Sequence, residues 1–154
     1  MSIGFRIATL EDCDLMFYWA NDPETRKNAF NTNQIKYTDH IYWFGQLNLN
    51  NVLIYFDELN VPVGVVRIDN KSNEWVITVM VDSKQRNKGY ASKMLSTAPI
   101  EFFKQNSLVD KIVAYIKESN TASVRTFSKV GFVLESTLLI DGLSCYKMYL
   151  ARNI

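Results

Sequence analysis

Cysteine is almost missing from this chain. Cys13 and Cys145 are the only two in 154 residues. One possible pair is no disulfide framework, and both lie in apolar segments, so they read as reduced core residues. Long apolar runs are missing too: none approaches the roughly 18 residues of a membrane span. The opening Met1-Ser2-Ile3-Gly4-Phe5-Arg6 has no apolar signal core. No charge surplus exists, since seventeen basic side chains face sixteen acidic ones. That excludes a basic field for nucleic acid or for an anionic membrane. Histidine occurs once, as His40, and no metal is expected. These absences point to a cytoplasmic protein.

What is present is an ordinary globular balance, 47% hydrophobic and 21% charged. The length fits a single domain over residues 1–154. A domain of this size buries about 70% of its unfolded surface, enough to fold without metals or disulfides.

The elements follow from periodicity and punctuation. Phe5–Ala8 reads as a short strand. Thr9 then caps a helix with Asp12 completing a capping box, and Asn21-Asp22-Pro23 stops it. Thr38 reads as a second cap, before Ile41, Trp43, Phe44 and Leu47 at helical spacing. Val52–Asp57 and Val63–Asp69 form a hairpin. Trp75–Val81 is apolar enough to be covered on both faces. A helix follows from about Gly89, with Pro99 predicting a kink or break. Val109–Ile116 is a strand, and Thr121–Val130 a helix ended by Gly131. Val133–Ile140 and Leu143–Leu150 pair across Asp141-Gly142. The predicted class is α/β: a mixed, mainly antiparallel sheet of six to seven strands flanked by about four helices.

The chemistry concentrates where the strand Val79-Met80-Val81 runs through a polar loop into Arg86-Asn87-Lys88-Gly89-Tyr90-Ala91. The first N–H groups of a helix lack partners and sit at the positive end of its dipole. An anion binds there. Gly89 removes the side chain where a diphosphate would approach, and Arg86 and Lys88 add positive charge. The pattern alone also fits a plain helix start with solvated cations. A second helix opens at Asn120-Thr121-Ala122-Ser123. If the two preceding strands are parallel neighbours, Gly89 and Asn120 share one sheet edge. Asn120 is then either a helix cap or an amide donor to a ligand.

Arg-x-x-Gly-x-Ala after a Val-x-Val strand, Asn-x-x-Ser about thirty residues on, then Lys129-Val130-Gly131-Phe132, resembles the GCN5-related N-acetyltransferases over nearly the whole chain. The resemblance implies acetyl-CoA as cofactor. It implies splayed central strands with pantetheine in the gap, paired to Met80 and Val81, its diphosphate on residues 86–91 and its arm touching Asn120. Many relatives carry a tyrosine seven residues after the asparagine, as acid for the departing sulfur; here Phe127 stands there. Ser123, one turn earlier on the same face, is the alternative hydrogen-bond donor. A backbone N–H near Met80 would hold the carbonyl oxygen.

Glu74, His40 and Tyr146 are candidate bases, each with a plainer role as a solvated, exposed or ordinary strand residue. Deprotonating a lysine-like amine at pH 7 costs about 4.6 kcal/mol, against about 1.4 for an α-amino group, so a low-pKa acceptor is favoured. The N-terminal third, Trp19 to Arg26 and Thr38 to Phe44, resembles acetyltransferases of sugar-nucleotide pathways, and also those of ribosomal-protein N-termini. The implied acceptor is a small-molecule amine, first a UDP-linked amino sugar, against a wall of Trp19, Asn21, Arg26, His40 and Trp43. The alternatives are a peptide N-terminus or a CoA-binding module without catalysis. An exposed strand edge leaves monomer and homodimer both open.

Overall fold

The computed structural model describes residues 2–153. Seven strands form one sheet in the order β1-β2-β3-β4-β5-β7-β6. These are β1 (Gly4–Ile7), β2 (Val52–Phe56), β3 (Pro62–Lys71), β4 (Glu74–Val81), β5 (Lys111–Lys117), β6 (Val133–Ile140) and β7 (Leu143–Ala151). Every neighbouring pair is antiparallel except β4 and β5, which run parallel. Both edges, β1 and β6, are largely exposed. Five helices flank the sheet: α1 (Cys13–Ala20), α2 (Pro23–Asn28), α3 (Tyr37–Gly45), α4 (Tyr90–Gln105) and α5 (Thr121–Lys129).

Alternation along the strands divides the core in two. Leu53, Val66, Ile77, Ala114 and Met148 point to one face and pack with Met94, Leu95 and Phe102 of α4 and Phe127 of α5. Ile54, Val65 and Met80 point to the other, against Met16 and Trp19 of α1 and Trp43 and Phe44 of α3. Cys13 and Cys145 are both unpaired, as expected. Burial raises both thiols above the ordinary range, which suits core residues and not nucleophiles. Among the described residues no helix is long and apolar enough to cross a membrane.

Several local expectations hold. Thr9 and Asp12 form the capping box, and Asp12 also takes two hydrogen bonds of 2.7 Å from Arg6. Asp141 and Gly142 turn the last hairpin with φ of 50° and 78°, the mirror-image turn that suits strand twist. Phe132 N–H returns to Phe127 O at 3.0 Å around Gly131, closing α5.

The first helix stops where expected, α1 ending at Ala20 with Asn21 as its C-cap; Asp22 then caps a further short helix, accepting from Glu24 and Thr25 N–H with Pro23 in the first turn. Two expectations change. Thr38 is not a cap: α3 begins at Tyr37 after Lys36, which makes no side-chain cap. No break occurs at Pro99. Helix α4 continues from Tyr90 to Gln105 with Pro99 buried inside it. The proline removes one helical hydrogen bond, and four buried neighbours (Met94, Leu95, Ala98 and Phe102) each stabilise the helix by about 1–3 kcal/mol through burial.

Candidate active site

Strands β4 and β5 touch at one register pair, Val76 with Val113. Beyond it β4 continues to Val81 against β3 alone, and β5 continues to Lys117 against β7 alone. The two parallel strands therefore part toward their C-terminal ends, leaving a V-shaped slot.

Backbone alternation determines which groups face the slot. Asp82 N–H donates to Val63 O at 2.8 Å. The β3–β4 register is unbroken from Gly64–Val81 to Lys71–Glu74. Successive residues of a strand point their N–H and C=O to opposite sides. Met80 and Thr78 thus bond toward β3, and Val79 and Val81 turn toward β5. Gly64 agrees: a Cβ there would lie 2.4 Å from Met80 O. The pairing expected at Met80 is corrected to Val79, while the one expected at Val81 fits this register. Its backbone belongs to the sheet and its side chain to the α1–α3 face; Val79 and Val81 present main chain to the slot.

At the slot mouth, Asp82 caps a 3-10 turn over Ser83–Gln85 through Lys84 N–H. The backbone is left-handed at Asn87 (φ 63°) and again at Gly89 (φ 80°). Gly89 is the N-cap of α4 and supplies no side-chain acceptor, so the first N–H groups of a 16-residue helix stay open. A Cβ on Gly89 would meet nothing within 4 Å. Tyr90 contributes only its backbone here, since its ring is buried with α4. Ala91 keeps the first turn small.

The two cations of this loop differ. Arg86 is engaged away from the amides, as its Nη2 donates to Asp22 Oδ2 at 2.6 Å and to Thr25 Oγ1 at 3.2 Å. Its charge is matched by a carboxylate, and its role is to tie the loop to α2. Among the described residues Lys88 makes only a neutral contact, to Gln85 Oε1 at 3.2 Å, so no carboxylate there matches its charge.

On the β5 side, Asn120 caps α5 by accepting from Ser123 N–H at 3.2 Å. The cap uses Oδ1 and leaves the amide hydrogens out of the bond. Ser123 Oγ has no hydrogen-bond partner among the described residues, whereas Thr126 Oγ1 donates to Ala122 O at 3.0 Å in the same helix. Phe127 is not available as a cofactor contact. It is 3% exposed and stands edge-on to Phe132 with centroids 4.9 Å apart.

The acceptor wall inferred from the N-terminal third does not assemble. Trp19 is buried and donates from Nε1 to Asp82 Oδ2 at 2.8 Å. Asn21 exchanges two hydrogen bonds with the backbone of Ile35. Arg26 spends its donors on the carbonyls of Ala20, Asn31 and Asn33. His40 is 1% exposed. Its Nε2–H donates to Cys13 O at 2.8 Å, among Phe17, Trp43 and Phe44, so it is neither base nor substrate contact. Trp43 has Arg67 over its ring at 4.9 Å. These groups shape the helices and the loop over 29–36. A cleft of about 450 Å³ remains beside them, between Tyr18, Asn21, Asp22, Gln34 and Ile35.

Glu74 stands at the start of β4, behind the vertex of the slot. It accepts from Tyr115 Oη and pairs with Lys147 Nζ at 2.5 Å. Lys147 also reaches Glu135 at 2.8 Å. The hydrogen bonds from Lys147 and Tyr115 hold the Glu74 carboxyl below the ordinary carboxylate range, against the effect of burial. Burial and the Glu74 carboxylate raise Tyr115. Tyr115, two residues past the vertex on β5, is the polar group that the sequence reading missed. Nothing local marks it, because its partner is 41 residues away. Tyr146 lies on the opposite face, packed toward α4 and α5, its phenol raised by burial and by Glu118; it does not join this group.

The model of the acetyltransferase (GNAT) domain matches residues 3–133. The chain belongs to the GNAT acetyltransferase family. No curated protein matches it. Solved structures of the same fold include the spermidine N-acetyltransferase of Vibrio cholerae in complex with CoA and spermine, 16% identical, covering 97% of this chain and 95% of that one with a TM-score of 0.80. An aminoglycoside acetyltransferase in complex with coenzyme A is 19% identical, covering 98% and 95%, at 0.80. An N-acetyltransferase from Staphylococcus aureus Mu50 is 21% identical, covering 98% and 99%, at 0.81. At these identities the likeness establishes the fold. The splayed pair in this GNAT domain is β4 and β5.

Proposed function

We propose that this GNAT enzyme uses acetyl-CoA and transfers the acetyl group directly to a primary amine of a small molecule. The observation that carries the reading is the separation of β4 from β5 beyond Val76 and Val113, with an uncapped helix start at its mouth. The residues fit the cofactor. Open N–H groups of α4 suit a diphosphate, the space over Gly89 gives it room, and Lys88 adds charge. The main chain of Val79 and Val81 suits an extended amide arm, as does the Asn120 side chain.

When bound, acetyl-CoA supplies an electrophilic thioester carbonyl and a thiolate leaving group. The Val79 N–H holds the carbonyl oxygen as negative charge builds on it. Ser123 Oγ donates a hydrogen bond to the sulfur in place of the tyrosine that Phe127 replaces. Tyr115 Oη, fixed by donating to Glu74, turns its lone pairs to the attacking amine and aligns it. Glu74 stays ionised at neutral pH. It orients Tyr115 and does not store the proton, which passes to solvent. Positioning then supplies much of the rate.

Within this reading the acceptor class is open to assay. A UDP-linked amino sugar stays in the panel, although the side chains first read as its wall are committed within the fold. Peptide N-termini, polyamines and aminoglycosides complete it. Titration calorimetry with acetyl-CoA, followed by thiol release over that panel, tests the function. Absence of acetyl-CoA binding would refute it.

A further inference from the structure

Arg67 is the least explained charge in the molecule. It lies on β3 in register with Thr78 of β4, and cross-strand partners share a face. Two residues along, Val65 and Met80 pack against α1 and α3. Arg67 therefore stands on the α1–α3 face, beside the strand that lines the slot and two residues beyond the vertex at Val76. Its side chain is 14% exposed. Trp43 covers one face of the guanidinium at 4.9 Å.

A guanidinium has five N–H donors. Arg67 uses Nη1 toward Asp69 and makes no other hydrogen bond among the described residues. A group so far withdrawn from water normally has its donors satisfied. Burial lowers its pKa to about 10, which expresses the same deficit. Yet its unpaired nitrogens are not sealed in: among the described residues the one enclosed side-chain atom without a partner is Nδ1 of His40. The unused donors of Arg67 are thus poorly hydrated, unpaired and reachable. The neighbouring charges are mixed in sign. Asp69 cancels Arg67, and Lys71 on the same face forms no ion pair among the described residues. Its ammonium is destabilised by burial and by Arg67. Glu74, across from Lys71 in the register, is already matched by Lys147.

We propose that Arg67 receives an anionic group of the acceptor, and that the amine acetylated here carries a carboxylate, as an amino acid does. The proposal rests on the acetyl-transfer reading above. The planar fork of Arg67 matches a carboxylate in two parallel hydrogen bonds. Asp69 and Trp43 hold the fork rigid, so little entropy is lost on binding. A polycation would meet Lys71 as a like charge without a carboxylate partner among the described residues.

The test compares free amino acids with their carboxamides, alongside spermidine and an aminoglycoside, by thiol release at saturating acetyl-CoA. Each carboxylate should exceed its carboxamide in kcat/KM by about tenfold or more, chiefly through KM, as expected for one charge-assisted hydrogen-bonded contact. Arg67→Gln should abolish that preference and Arg67→Lys reduce it, with acetyl-CoA affinity unchanged. Because Arg67→Gln risks misfolding, the acid–amide comparison on the unaltered enzyme decides by itself. Equal rates for acid and amide, preference for the polycations, or no turnover of any carboxylate would overturn the proposal while acetyl-CoA still binds. Loss of acetyl-CoA binding would instead overturn the reading beneath it.

Discussion

Replacing Gly89 by alanine separates a structural glycine from a cofactor cradle. Its φ of 80° costs a residue with a Cβ about 1–2 kcal/mol. Beyond the adjoining residues no described atom lies within 4 Å of where that Cβ would stand, so strain dominates the folding cost. For a chain of this size that lowers Tm by roughly 2–8 °C. Gly142 is the matched control. It has a φ of 78° and equally open space, but turns the β6–β7 hairpin. Gly142→Ala should show the same loss of Tm and unchanged acetyl-CoA binding. Gly89→Ala should additionally weaken acetyl-CoA. Displacing the diphosphate from one charge-assisted N–H costs about 1.5–3 kcal/mol, or roughly 10- to 100-fold in Kd. Differential scanning fluorimetry reads the first quantity and titration calorimetry the second. Equal Kd values for the two variants would refute the assignment of the cradle to the start of α4.

Ser123→Ala should lower kcat about tenfold, leave Tm unchanged because the hydroxyl has no hydrogen-bond partner among the described residues, and leave the Kd for acetyl-CoA intact; unchanged kcat would remove it from the mechanism. Glu74→Gln and Tyr115→Phe should each lower kcat by about tenfold or more without moving the rising limb of the kcat/KM–pH profile, which belongs to the acceptor amine. A limb that shifts in Glu74→Gln would make Glu74 the titrating base. Asp12 is held low chiefly by the Arg6 hydrogen bond, against burial. Its contribution is therefore complete above the unfolded value near pH 4 and lost as pH falls through the folded one. Asp12→Asn should cost roughly 2 kcal/mol at pH 7 and flatten the acid limb of stability in denaturant titrations, and an unaltered limb would contradict this.

The strand, loop and helix start proposed to hold the cofactor were legible because their signals are local. A strand, a polar loop and Gly89 before a helix lie within about a dozen residues, and each states a backbone requirement. The hairpin at Asp141-Gly142 was legible for the same reason. Helix α2 was not, although Asp22-Pro23-Glu24 carries a cap, a first-turn proline and an acidic first turn. Proline after a helix reads equally as a stop, and tertiary contacts decide. The acceptor half failed differently. Trp19, Asn21, Arg26 and His40 are the right kinds of residue for ligand contacts, but sequence does not reveal which donors the fold has already used. Arg67 escaped notice for the converse reason: within Val63-Gly64-Val65-Val66-Arg67-Ile68 it reads as a strand residue, and its unused donors appear only once Trp43 and Asp69 surround it.

Those misassigned side chains explain how the slot keeps its shape. A loop with two left-handed residues, Asn87 and Gly89, has little backbone hydrogen bonding of its own to fix it. It is clamped from outside at both ends. Trp19 of α1 holds Asp82 at its beginning, and Asp22 and Thr25 of α2 hold Arg86 before the glycine. Asn21 and Arg26 in turn anchor the 29–36 segment to the same helices. Main-chain amides can hold a diphosphate only if the loop is already in place, since ordering it on binding would consume about 1–2 kcal/mol per residue. Under the proposed function, the N-terminal helices hold the loop in shape for the cofactor. Their polar residues serve preorganisation, which leaves acceptor recognition to the strand face where Arg67, Tyr115 and Glu74 stand.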